Sequence, residues 1–93
     1  MNIQKHIKIY GKVQGVGYRY WLKSFAIEYG IFGWVKNNIN GEVEAVLIGN
    51  EDVVNNLIEQ CYMGPPESNV EKILTDNSND IYDIKSFEII TNN

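Results

Sequence analysis

Polar and apolar residues alternate from residue 3 to residue 13, with Ile7, Ile9, Gly11 and Val13 on one side and His6, Lys8, Tyr10 and Lys12 on the other. A period of two is that of a half-buried strand. From residue 18 the period changes. Tyr18, Trp21, Leu22, Phe25, Ala26 and Tyr29 recur as one helical stripe, and Gly30 follows where a left-handed stop is expected. Residues 31–37 read as a second strand, and Asn38-Ile39-Asn40-Gly41 as a hairpin turn, with Asn-Gly supplying positive φ angles. Residues 42–48 form a third strand that turns Val43, Ala45 and Leu47 to one face. Asn50 is placed to cap a second helix, Glu51 and Asp52 suit its positive end, and Val53, Val54, Leu57, Ile58 and Cys61 form its stripe. Gly64-Pro65-Pro66 ends that helix, and strands at about 70–75 and 85–90 complete the chain.

The order is β-α-β-β-α-β with an extra short strand near the end. It predicts an α+β, ferredoxin-like two-layer sandwich, an antiparallel sheet with two helices on one face, as a single domain over 1–93. A helical crossover makes the first two strands parallel, so their C-terminal ends meet at one sheet edge. This fold hosts enzymes, RNA binders and regulatory domains, so function has to come from a site.

Composition removes several classes. With 44% apolar and 22% charged residues, the chain can bury a core. One cysteine excludes an intramolecular disulfide framework. No apolar run approaches the ~18 residues of a membrane helix, and MNIQKHIKIY lacks the apolar core of a signal peptide. A cytoplasmic protein is expected, without membrane contact. The net charge of −4 is unevenly distributed: residues 1–36 carry +5 and residues 37–93 carry −9. That asymmetry suits an anionic partner for the first segment, although the two halves interleave in so small a fold.

The segment Gln14-Gly15-Val16-Gly17-Tyr18-Arg19 joins the first strand to the first helix. Two glycines allow a sharp turn and close approach by a ligand. The loop opens into a helix N-terminus, where unpaired amides and the dipole favour an anion, and successive amides can form a concave nest. Arg19, the chain's sole arginine, falls in the first helical turn, where a cation opposes the dipole and a bound anion would compensate. The segment lacks the third glycine of a dinucleotide fingerprint and the Gly-Lys-Ser/Thr ending of a nucleotide loop. Asn37, at the end of the second strand, is carried to the same sheet edge. Its amide can orient a water or bind a phosphoryl oxygen, or simply start the hairpin.

Other residues offer less. His6 has no second histidine with which to share a metal and reads as a surface residue; Cys61 reads as packing; Glu42 and Glu44 read as a solvated pair on one strand face. No Ser-His-Asp set can be built convincingly around the one histidine, His6. Tyr10, Tyr20 and Trp34 raise the alternative of an RNA-binding module, but the third strand is acidic and without aromatics, and the pI is about 4.8. No nucleic-acid partner is expected.

The run Gly11-Lys12-Val13-Gln14-Gly15-Val16-Gly17-Tyr18-Arg19 resembles the first signature of the acylphosphatases. Gly33-Trp34-Val35-Lys36-Asn37, followed by Gly41, Val43 and Gly49, resembles their second, and Gly64-Pro65-Pro66 and Ser86-Phe87-Glu88-Ile89 extend the likeness over nearly the whole chain. Tyr18 stands where phenylalanine is commoner. The resemblance implies hydrolysis of small acyl phosphates to carboxylate and inorganic phosphate, with no cofactor, metal or covalent intermediate. It implies that Arg19 binds the phosphoryl group, Asn37 positions the attacking water, and the amides of Gly15, Val16, Gly17 and Tyr18 form the cradle. Phosphate is then expected as a product inhibitor, and the protein as a monomer. A third reading is a phosphate-binding regulatory or carbamoyl-handling domain, because acylphosphatase-like domains also occur inside larger maturation proteins; a free-standing chain argues against it.

Overall fold

A computed structural model describes residues 1–77 and 83–91. The elements run β1 (Asn2–Lys12), α1 (Tyr18–Glu28), β2 (Phe32–Asn37), β3 (Val43–Asn50), α2 (Glu51–Cys61), β4 (Asn69–Asn77) and β5 (Phe87–Ile90). They form one sheet in the order β4-β1-β3-β2-β5. β1 and β2 both run antiparallel to β3, which lies between them, so they are parallel to each other and end at the same edge.

The alternation along β1 and β3 sends Ile7, Ile9, Val43, Ala45 and Leu47 into the core, all essentially without exposure. Tyr18, Leu22 and Ala26 of α1 and Val54, Leu57 and Cys61 of α2 meet them from one face of the sheet. α1 packs over β2 and β5, α2 over β1 and β3. A ladder of rings, Tyr18–Trp21–Phe25–Tyr29, runs along α1 with centroids 5.0–5.8 Å apart. Burying such side chains is the main favourable term in a fold of this size.

The expected ferredoxin-like sandwich is present, with two refinements. The extra strand β5 pairs with β2 in parallel, Gly33 opposite Phe87 and Val35 opposite Ile89, so the sheet is mixed at that edge. The pairing leaves Phe87 4% exposed, in the core. The hairpin turn also differs from expectation, because only Gly41 takes a positive φ, at 105°, and Asn40 does not. The Gly41 amide donates to the Asn38 carbonyl (3.1 Å) and the Asn38 amide to the Glu42 carbonyl (2.8 Å). A three-residue loop of this kind needs one left-handed position, at its end. Among the described residues no helix is long and apolar enough to cross a membrane.

Candidate active site

β1 ends at Lys12, and α1 begins at Tyr18. Between them Gly15 and Gly17 adopt φ of 75° and 79°, left-handed values that a side chain would strain. The two glycines fold the loop back on the start of the helix. Gly17 is the N-cap of α1 and, having no side chain, caps no amide; the first turn contains no acid. The early amides of α1 are therefore left facing outward from a dipole's positive end.

A recess of about 120 Å³ opens there, lined by Val13, Gly15, Gly17, Tyr18, Arg19, Tyr20 and Asn37. Arg19 is the only charged residue in that lining. Among the described residues it forms no ion pair, so a half-buried guanidinium fork stands beside a row of amides. Such a fork matches two oxygens of a phosphoryl group. Asn37 arrives from the end of β2, 18 residues further along the chain, by the shared sheet edge.

The loop residue Val16 behaves differently from its neighbours, since its side chain packs against the core and does not line the recess. Only its backbone can serve a ligand. Tyr18 is 2% exposed, and its hydroxyl donates to the carbonyl of Cys61 at 2.5 Å. That carbonyl is among the last four of α2, which have no partner within the helix. A buried phenol thus finds an acceptor, and the tyrosine that stands where phenylalanine is commoner is accommodated. Burial raises the Tyr18 hydroxyl pKa far above its ordinary value, so it stays protonated.

Three residues hold the two halves of the recess together. The Gln14 side-chain amide donates to the carbonyls of Asn38 (2.7 Å) and Glu42 (3.1 Å), tying the glycine loop to the hairpin. The Asn38 amide donates to Glu44 Oε1 at 3.0 Å, and His6 Nε2 pairs with Glu44 Oε2. Lys36 Nζ lies 3.9 Å from Glu44 Oε1. Glu44 is therefore not the solvated carboxylate expected from its strand face. Its side chain is 17% exposed and engages β1, β2 and the turn together. Nor is His6 a plain surface residue, because its ring also meets Trp34 edge-on at 6.4 Å. Burial would raise the Glu44 pKa, but hydrogen bonds from Asn38 and His6 and the charges of His6 and Lys36 outweigh it and hold the carboxyl below its ordinary value.

Sequence reasoning brings Gly15, Gly17, Tyr18, Arg19 and Asn37 to one recess but passes over Gln14, Asn38 and Glu44. The available signal was the register: Lys36 faces Glu44 across the β2–β3 pair. Cys61, expected as packing, is fully buried, and burial pushes its thiol up to about 12. Tyr10 and Trp34 reach the open face of the sheet, each beneath a lysine, Lys72 at 4.9 Å and Lys36 at 5.4 Å. Among the described residues, no group of three or more His, Cys, Asp or Glu side chains is arranged to hold a metal ion.

Comparison with known proteins agrees with this geometry. A family model described as Acylphosphatase matches residues 5–89. An acylphosphatase of Rhodopseudomonas palustris is 45% identical over 74 residues, covering 80% of this chain and 75% of the relative. The crystal structure of the acylphosphatase of Bacillus subtilis superimposes with a TM-score of 0.90 at 34% identity, covering 97% of this chain and 99% of the other. A full-length HypF in a phosphate- and nucleotide-bound form contains the same architecture, with a TM-score of 0.88 at 27% identity over 98% of this chain and 12% of that one.

Proposed function

Because the chain belongs to the acylphosphatase family, hydrolases of acyl phosphates, we propose that it cleaves the carboxyl–phosphate bond of small acyl phosphates by direct in-line attack of water, as a single domain needing neither metal nor phosphoenzyme. Arg19 and Asn37 are the catalytic residues, and the amides of Gly15, Val16, Gly17 and Tyr18 are the phosphoryl cradle. The observation that carries this reading is the recess at the start of α1, lined by the lone arginine, the asparagine and the two left-handed glycines.

The chemistry asks for little more. Water oxygen bonds to phosphorus as the phosphorus–acyl oxygen bond breaks. The bonding pair leaves with the carboxylate, and the water protons pass to phosphate and solvent. The conjugate acid of a carboxylate has a pKa of ~4, so the leaving group departs without a general acid. In a loose phosphoryl transfer the water needs orientation more than deprotonation. The remaining demand is charge stabilisation and positioning, which amides, a guanidinium and one carboxamide meet. Product phosphate fits the same amides, so it competes with substrate.

We place this activity in a cytoplasmic monomer that engages neither nucleic acid nor membrane. The test is turnover of acetyl phosphate and other acyl phosphates by the purified chain before and after exhaustive chelation. Hydrolysis should be undiminished by the chelator and competitively inhibited by phosphate. A strict requirement for added magnesium would point instead to a mechanism in which metal neutralises the phosphate.

A further inference from the structure

We infer that Glu44 is a positioning residue for the hydrolysis, holding Asn37 in place through Asn38; the inference rests on the role given to Asn37 above. Alternation along β2 turns Asn37 toward the helix-covered side, where it lines the recess, and Asn38 toward the opposite face. Adjacent residues thus share one peptide plane while serving two faces. Fixing Asn38 fixes the backbone from which the Asn37 side chain projects.

Asn38 is fixed at three points. Its side-chain amide donates to Glu44 Oε1 at 3.0 Å, its main-chain amide donates to the Glu42 carbonyl at 2.8 Å, and its carbonyl accepts from Gln14 at 2.7 Å. Beyond it the turn has no comparable support, since Ile39 is wholly exposed and Asn40 and Gly41 are exposed too. Glu44 is itself clamped, with His6 of β1 on Oε2 and Lys36 of β2 near Oε1. A carboxylate so placed is a rigid anchor, because moving it would strip a half-buried charge of its partners. On the cradle side Gln14, which directly precedes Gly15, also donates to the Glu42 carbonyl at 3.1 Å, so that side keeps a tie to the hairpin that does not pass through Asn38. The water-positioning side depends on Asn38 through the peptide bond to Asn37.

A misplacement of about 1 Å at a reacting group can cost ~10²-fold in rate. Glu44→Ala should therefore lower kcat on acetyl phosphate about tenfold, while KM and the inhibition constant of inorganic phosphate stay within about twofold, since Arg19 and the cradle amides remain. Glu44→Gln should recover most of that loss, its oxygen accepting from Asn38 and its amide facing His6. Asn38→Ala should reproduce the kcat loss, and the double variant Glu44→Ala/Asn38→Ala should lose no more than either single one.

Failure of this inference is separable from failure of the reading beneath it. If Asn37→Ala loses kcat while Glu44→Ala and Asn38→Ala match wild type, Asn37 keeps its role and the positioning role of Glu44 is overturned. A variant that raises KM and the phosphate inhibition constant at unchanged kcat overturns it as well, and so do additive losses in the double variant. If the unaltered chain does not hydrolyse acetyl phosphate, both inferences fall. Should Glu44→Ala not fold, Asn38→Ala, which leaves the carboxylate and its other partners in place, gives the same readout.

Discussion

Helices α1 and α2 each run for 11 residues on the same face of the sheet, yet their first turns are built in opposite ways. α2 is closed. Asn50 accepts hydrogen bonds from the Asp52 amide at 3.0 Å and the Val53 amide at 3.3 Å, and Glu51 and Asp52 oppose the positive end of the dipole. α1 starts on a glycine without a side-chain cap, has no acid in its first turn, and places an arginine there. Judged as a helix, α1 is the worse of the two by several tenths of a kcal/mol. Judged as a site, it presents what α2 has already used up, namely unpaired amides and uncompensated positive potential. A helix start left unfinished by its own chain is a place where a ligand can finish it.

The largest effect expected from this contrast concerns the charge at the open end. Arg19→Ala should lower turnover by about 10²–10³-fold and weaken phosphate inhibition in parallel. Lysine should restore little, because it cannot offer the planar two-donor fork. Retention of more than about a tenth of wild-type turnover would remove Arg19 from the reaction. Asn37→Ala should cost about 10²-fold in kcat and equally in kcat/KM, with KM and phosphate inhibition near wild type, the pattern of an interaction made only in the transition state. Unchanged kcat with weaker phosphate binding would make Asn37 a binding residue. Both variants need a thermal unfolding midpoint close to wild type for the comparison to hold.

At the closed end the sign reverses. Asn50→Ala should leave kcat unchanged while costing about 1 kcal/mol of stability, a fall of roughly 4–8 °C in Tm for a domain of this size. Loss of activity without loss of stability there would dissolve the distinction between the two helix starts. The smallest effect is the contribution of the Glu44 charge to stability. The Glu44 pKa is lowered in the folded state from 4.5, so the stability due to its ionised form is complete above that value and is lost as pH falls through the lower folded one. The Tm gap between wild type and Glu44→Gln, a few degrees at most, should hold near pH 5.5 and close on acidification. A gap that widens toward acid would contradict the direction of the shift.

What could be read in advance divides along physical lines. The strands and helices were legible because burial imposes periods of two and 3.6 on one chain segment at a time. Asn50 as a cap, and Gly30, whose φ is 71°, as a helix stop, were legible for the same local reason. The meeting of Arg19 with Asn37 was legible through one topological step, the parallel course of β1 and β2. Glu44, His6 and Tyr18 were not, because the His6–Glu44 and Tyr18–Cys61 contacts span 38 and 43 residues and depend on which elements become neighbours. A carboxylate on the open side of a strand looks solvated until the register sets Lys36 beside it and brings His6 and Asn38 within reach. Val46 tells the same story, fully buried on the face away from the helices, where its register partners are His6 and Trp34. Parallel pairing of β5 was equally invisible, since a four-residue strand carries no mark of its direction.

The contact between the Tyr18 hydroxyl and the Cys61 carbonyl gives the molecule a clock. The chain's one sulfhydryl sits on α2 at zero exposure, with its thiol pushed up to about 12 by burial, so near neutral pH a thiol reagent finds neither access nor thiolate. Tyr18 is the first residue of α1, and its side chain lies against the last turn of α2. Tyr18 and Cys61 thus belong to one buried junction between the start of α1 and the end of α2, and a reagent reaches the sulfur only when the packing around Cys61 opens. The rate at which the sulfur is modified therefore reports how often the packing around this junction opens.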